Sequence, residues 1–154
     1  MLQSALLYAL LLLVAAGVSL TACGILWTRR TVSGAIPLFA FMGALFLWSL
    51  FYAIFWLSKT PQSQIFWLNA TYFGVVFASP TFMVFTLYFT HREAWVNRYS
   101  LVWLSVEPIL TLLLLWTDPM HGLFFAGKRV ASSSAFLEGG IWFWFNIAYT
   151  YGMI

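Results

Sequence analysis

Four long apolar runs that carry almost no charge constrain this chain more than any other feature of its sequence. The first, residues 4–27, holds no acidic or basic residue and is long enough to cross a hydrocarbon core of roughly 30 Å. The same pattern returns in residues 35–57, 65–89 and 100–116. The sequence therefore predicts an all-α, polytopic membrane helix bundle with four complete transmembrane helices, and residues 141–154 predict the beginning of a fifth.

The composition excludes a soluble fold and several classes of function. Hydrophobic residues make up 63% of the chain and charged residues 7%, whereas soluble domains have roughly 45–50% and about 25%. The net charge of +3 is scattered between the runs, which argues against a nucleic-acid partner, because that needs a clustered basic face. The single cysteine, Cys23, excludes an internal disulfide, and two distant histidines do not give metal-ligand spacing. We therefore expect no metal and no cofactor.

Small residues spaced four apart predict where neighbouring helices approach closely. They are Ala15, Ser19 and Cys23 in the first run, Ala40 and Ala44 in the second, and Ala70, Gly74 and Ala78 in the third. The segment 20–23 (LTAC) is also similar to a lipoprotein cleavage box. However, no basic residue precedes the first run, and the run is longer than the apolar core of a signal peptide. A membrane helix is therefore the preferred interpretation.

Residues 105–125 combine an apolar helix pattern with several polar interruptions. Glu107 lies inside an apolar run, where a carboxylate is costly, and Pro108 removes a helix hydrogen bond. Proline also restricts the residue before it, so Asp118 and Pro119 predict that helix four ends near residue 116. Pro80 and Pro108 are predicted hinge points. The predicted outer-loop motif consists of Thr117, Asp118, Pro119 and His121.

Counting 1.5 Å per residue from the predicted outer helix ends places several polar side chains at the depth of Glu107. They are Ser49, Tyr52, Tyr72 and Tyr149, with Asn69 and Asn146 nearer the outer surface. A carboxylate inside the membrane is by default a functional-site hypothesis, and this set is suited to a cationic or hydroxylated ligand. The alternative is a structural Glu107 that bonds tyrosines or backbone groups freed by Pro108.

Other polar residues have a functional and a structural interpretation. Asp118 and His121 would either contact a ligand at the outer surface or, as we prefer, cap the turn and pack at the interface. His91 precedes an arginine and an acid, as in a phosphoacceptor box, but it lacks the surrounding helix and proline. No nucleophile elbow, phosphate-binding loop or zinc-protease motif occurs, so no catalytic residue is predicted.

Two segments together resemble the N-terminal seven-helix region of bacterial and archaeal sensor histidine kinases. The family's T-[ND]-x-x-H-x-L-[FW] segment is matched by Thr117, Asp118, His121, Leu123 and Phe124, although asparagine is common where Asp118 stands. Its G-x-W-F-W…Y-x-Y segment is matched by Trp142, Phe143, Trp144, Tyr149 and Tyr151. The resemblance implies an outside N-terminus, seven helices, and a cytoplasmic output domain that is often a histidine kinase and sometimes a diguanylate cyclase.

The charges in the predicted loops favour the same orientation. The loops after helices one and three hold Arg29, Arg30, Arg92 and Arg98, and those after helices two and four hold Lys59, Lys128 and Arg129. Basic residues collect in cytoplasmic loops and count for less in long ones, and the loop 117–140 is the longest. The charges therefore place the N-terminus outside.

The sequence is accordingly interpreted as the input module of a two-component sensor, not itself an enzyme. Residues 1–154 would form only the N-terminal part of a seven-helix sensor domain, because residues 141–154 are too few to span a membrane. The expected output domain is not part of this sequence. The expected partners are the lipid bilayer, an unknown small ligand or membrane signal, and a second copy of the full-length protein. The alternative is a fragment of a transporter or permease, with Glu107 as an ion- or proton-coupling site.

Overall fold

The computed structural model describes residues 2–125 and 139–153, and every regular element within those ranges is helical. The helices are α1 Leu2–Thr28, α2 Ala35–Leu57, α3 Pro61–Phe89, α4 Arg98–His121 and α5 Ile141–Met153, with a short 3-10 helix at Glu93–Trp95. Helices α1 to α4 are each long and apolar enough to cross a membrane. The predicted fold class, four complete spans followed by the start of a fifth helix, is confirmed.

The connections before α3 and α4 are shorter than the sequence indicates, because each helix begins with a capping residue. Thr60 caps α3 by accepting a hydrogen bond from the Ser63 N–H at 3.3 Å, and Pro61 takes the first helical position. Asn97 caps α4 by accepting from the Ser100 N–H at 2.8 Å. The expected start of helix three at residue 65 is therefore wrong by one turn.

Helix α4 does not stop at Asp118 and Pro119, as the sequence predicts, but continues to His121. It ends because Gly122 adopts the left-handed conformation (φ 62°) and its N–H donates to the Asp118 carbonyl at 2.8 Å. A proline inside a membrane helix is tolerated, since neighbouring groups re-satisfy the backbone. Residues 126–138, which belong to the predicted loop 117–140, lie outside the described ranges.

Helix α3 is the centre of the bundle and packs against α2, α4 and α5, whereas α1 packs against α2. The α2–α3 contact is closest at Gly74. A Cβ added there would overlap the Ala44 carbonyl oxygen and lie 2.5 Å from the Trp48 backbone nitrogen. The two backbones therefore touch, and only glycine fits at this position.

The small-residue stripes identify the helix contacts only in part. Ser19, Cys23, Ala44, Ala70 and Gly74 are buried as expected, and Ala78 is half-buried. Ala15 and Ala40 are exposed instead. The buried face of α1 runs through Ala9, Ala16 and Cys23, and this seven-residue spacing is typical of helices that pack along their length.

Large apolar side chains cover the outward faces of the bundle. More than half of the side-chain surface is exposed at Leu10, Leu11, Val14 and Val18 in α1 and at Val102, Trp103 and Leu113 in α4. A soluble protein rarely exposes such continuous apolar surface. In a bilayer it contacts lipid tails, and the helices satisfy their own backbone hydrogen bonds.

Candidate functional site

A buried polar network joins α4 to α5 around Glu107, whose side chain is only 6% exposed. Glu107 Oε1 accepts hydrogen bonds from Thr111 Oγ1 at 2.7 Å and from Asn146 Nδ2 at 2.8 Å. Trp142 Nε1 donates to Thr111 Oγ1 at 2.8 Å. Each helix contributes two residues one turn apart, which therefore project from the same face.

The second carboxyl oxygen of Glu107, Oε2, is buried and has no hydrogen-bond partner among the described residues. Leaving a buried polar atom unpaired costs about 1–3 kcal/mol. Glu107 thus keeps one strong acceptor unused at membrane depth, which is uncommon outside functional sites.

Tyr149 donates a hydrogen bond to the backbone carbonyl that Pro108 leaves without its helical partner. Pro108 has no N–H, so it cannot donate to the carbonyl of Leu104 one turn earlier. Tyr149 on α5 supplies the missing donor, and its hydroxyl lies 3.0 Å from the Leu104 carbonyl oxygen. The two helices are therefore joined by a second polar contact one turn from the Glu107 network.

Removing the Tyr149 hydroxyl should weaken this contact measurably. We expect Tyr149→Phe to lower the free energy of unfolding by about 0.6–1.7 kcal/mol, the size of interhelical hydrogen bonds in membranes. Adding Pro108→Ala should restore most of the loss, because an alanine at this position would bring an N–H to the Leu104 carbonyl. Unfolding by SDS in mixed micelles measures both values. Tyr151→Phe, on the exposed side of α5, is the control, and a Tyr149→Phe protein as stable as the parent would contradict the expectation.

Asp118 fixes the turn that follows α4. Its side chain is 1% exposed, and Oδ1 accepts from the N–H groups of Phe124 at 2.7 Å and Phe125 at 3.3 Å. This turn also positions the start of α5, because the Phe124 carbonyl accepts a hydrogen bond from the Gly140 N–H at 2.7 Å. A Cβ at Gly140 would overlap the Leu123 carbonyl oxygen, so glycine is required there.

His121 and Thr117 belong to the same turn. The Leu123 N–H donates to His121 Nδ1 at 3.1 Å, and Thr117 Oγ1 lies 2.9 Å from His121 Nε2 while donating to the Leu113 carbonyl. These bonds assign the ring hydrogen to Nε2. Both side chains are exposed, and Pro119 beside them is exposed as well.

An aromatic cluster and a cavity lie beside the Glu107 network. Tyr72 meets Phe124 edge-on with ring centroids 5.1 Å apart, and Phe124 meets Phe143 at 5.8 Å. The cavity has a volume of about 500 Å³ and lies between α2, α3 and α5. Tyr72 and Asn146 both border it, so Asn146 belongs to the cavity wall and to the Glu107 network.

A model of the family described as the N-terminal 7TM region of histidine kinase matches residues 11–154. The chain belongs to this family. The resemblance drawn from the residues around Asp118 and Trp142 is thereby confirmed. Comparison with curated proteins and with solved structures finds no match. As a 7TM region of a histidine kinase, the chain is a multi-pass membrane protein that lies in the lipid bilayer.

The structure brings together some of the candidate ligand-binding residues of this 7TM region and separates others. Glu107 and Asn146 are bonded, Tyr149 lies one turn away, and Tyr72 borders the cavity with Asn146. No hydrogen bond among the described residues joins the three remaining candidates to the network. Tyr52 packs against Phe55 and Trp56, Asn69 is buried with Oδ1 unpaired among the described residues, and Ser49 is half-buried.

Sequence reasoning missed two members of the network, Thr111 and Trp142. Thr111 follows Glu107 by four residues, and Trp142 precedes Asn146 by four, so both share a helix face with a singled-out residue. From sequence alone, Trp142 instead resembles part of an interfacial aromatic belt. The indole N–H bonded to Thr111 gives it a position within the polar network.

Proposed function

We propose that this 7TM region is the signal-sensing input module of a two-component sensor, and that it passes a helix rearrangement to a cytoplasmic output domain. Residues 1–154 would be the N-terminal part of the seven-helix domain, with the N-terminus outside the cell. The proposal further includes a small ligand or membrane signal as input and a homodimer of the full-length protein. The family match supports it.

The observation that carries the proposal is the polar junction between α4 and α5. A signal changes a protein only by favouring one of two arrangements through differential contacts. Among the described residues, three directional hydrogen bonds cross the helix boundary: Trp142 donates to Thr111, Asn146 to Glu107 and Tyr149 to the Leu104 carbonyl. They can exchange partners without repacking an extensive apolar surface, so this junction is suited to two arrangements.

The prolines are the proposed points where the two arrangements differ. Pro108 lies within the α4–α5 junction, and Pro80 is buried in the middle of α3, the helix that contacts both. Each removes one backbone hydrogen bond from its helix, which makes local bending easier. Arg29, Arg30 and Arg92 in the short connections after α1 and α3, with Arg98 at the start of α4, support the cytoplasmic placement of those connections.

Autophosphorylation of the full-length protein in proteoliposomes tests this function. We expect Pro108→Ala to change the basal rate about fivefold or more, because a bias of about 1 kcal/mol changes a two-state ratio by that factor. Pro37→Ala is the matched control. Pro37 lies in the first turn of α2, where backbone N–H groups have no helical partner in any case. An unchanged rate in Pro108→Ala would contradict the proposal.

A further inference from the structure

The cavity between α2, α3 and α5 has the size and walls of a ligand site. Its volume of about 500 Å³ lies within the roughly 300–1,000 Å³ typical of small-molecule sites. Most of its lining is apolar, with contributions from Phe41, Leu45, Val75, Phe82, Phe143 and Ile147. A ligand that fills it must therefore present mainly hydrocarbon to these walls.

The polar groups of the wall are all uncharged. They belong to Asn146, Ser79, Thr150, Tyr72, Tyr151 and Trp48, and no charged residue is among the described residues that line the cavity. Burying an ionic headgroup here would leave it without a counter-charge, which is strongly unfavourable. Hydroxyl and amide groups instead match a neutral hydroxyl or carbonyl on the ligand.

Asn146 connects the cavity to the α4–α5 junction. Its side chain is 4% exposed, borders the cavity, and donates from Nδ2 to Glu107 Oε1 at 2.8 Å. A ligand group that bonds the Asn146 amide would therefore act directly on the bond that joins the two helices. Glu107 Oε2 has no hydrogen-bond partner among the described residues. It offers a second acceptor to the Asn146 amide when the Asn146 side chain rotates.

We propose that this cavity binds an uncharged amphiphile dissolved in the bilayer. The ligand has a hydrocarbon body and one hydroxyl or carbonyl group that forms a hydrogen bond with the Asn146 amide. The inference rests on the proposed function and names the class of its ligand. The uncharged wall and the buried amide that faces both the cavity and Glu107 carry it.

Photolabelling of the full-length protein in nanodiscs tests the site. The probe is a long-chain alcohol with a diazirine in its chain, and mass spectrometry maps the labelled peptides. We expect saturable labelling of α3 and α5 that unlabelled alcohol displaces. The same chain with a trimethylammonium head should compete roughly tenfold less well.

Two variants fill the cavity from different walls. We expect Thr150→Trp on α5 and Ala78→Phe on α3 each to lower labelling roughly tenfold, and either one suffices if the other fails to fold by size-exclusion chromatography. Ala148→Trp is the matched control, because Ala148 is exposed on α5 and outside the cavity wall. The inference would be overturned by labelling that does not saturate, or by labelling that persists in both cavity-filling variants. Absence of labelling would overturn it too, since it would mean that another helix of the full-length protein occupies the space.

Autophosphorylation in the presence of the alcohol separates this inference from the proposed function. Saturable labelling that leaves the rate unchanged supports the site and contradicts the signalling role. A change in rate without saturable labelling supports signalling and overturns the site. If the alcohol labels the protein saturably and also changes the autophosphorylation rate, and both effects are lost in the cavity-filling variants, the site and its coupling to output are supported together.

Discussion

Replacing Gly74 by alanine will push α2 away from α3 and lower the free energy of unfolding by about 1–3 kcal/mol, as overpacking of a close contact does. The added Cβ would overlap the Ala44 carbonyl oxygen and lie 2.7 Å from the Trp48 Cβ. These neighbours are backbone atoms or atoms fixed to the backbone of α2, so no side-chain rotation relieves the overlap. Gly74→Leu should prevent α2 and α3 from packing and yield aggregated protein.

The matched control is Gly43→Ala in α2, where an added Cβ meets no atom within 4 Å. Alanine is also favoured over glycine in a helix, so we expect no loss of stability there. Unfolding by SDS in mixed micelles measures both variants, and size-exclusion chromatography reports on Gly74→Leu. A Gly74→Ala protein as stable as Gly43→Ala would show that the two backbones do not touch at this position.

Glu107→Leu and Asn146→Leu should each destabilise the protein by about 1–3 kcal/mol, because each leaves a buried partner without its hydrogen bond. Glu107→Leu removes the acceptor of two donors, and Asn146→Leu removes one of the two donors to Glu107. The double variant removes both sides of the contact. Its loss should be smaller than the sum of the single losses by about 0.5–2 kcal/mol.

The same SDS unfolding measures all three proteins of this cycle. Asn146→Leu combined with Thr86→Leu is the control pair, since Thr86 is exposed on α3 and its hydroxyl donates only within its own helix. Those two losses should add. If the losses at residues 107 and 146 also added, the α4–α5 hydrogen bond would not contribute to stability.

The sequence predicts the helices well because the membrane requires long uncharged runs. Residues 35–57 coincide with α2 at both ends. The sequence pattern places the start of α3 one turn too late, because polar residues 62–64 look like a loop, although Thr60 followed by Pro61 is a capping signal. It places the end of α4 too early, because Pro119 resembles a stop, whereas the left-handed Gly122 ends the helix.

The site could be predicted only to the level of single residues. Glu107 is singled out as the one charge in its apolar run. The alternative expected Glu107 to bond tyrosines or backbone groups freed by Pro108, whereas Glu107 bonds Thr111 and Asn146, and Tyr149 donates to the Leu104 carbonyl instead. The sequence does not predict which face of each helix packs against its neighbours. These helices are apolar all round, so no polar stripe marks the lipid-facing side. The sequence therefore relates Tyr52 and Asn69 to Glu107 by depth alone.

The contacts between α4 and α5 also bear on biosynthesis. A carboxylate at the centre of a lone helix opposes its transfer from the translocon into lipid by roughly 2.5–3.5 kcal/mol. Helix α4 carries Glu107 and the carbonyl opened by Pro108, and the groups that satisfy both are on α5, which the ribosome makes later. The bonds from α5 can offset this cost only after α5 has emerged, so these contacts favour release of the two segments from the insertion channel as a pair.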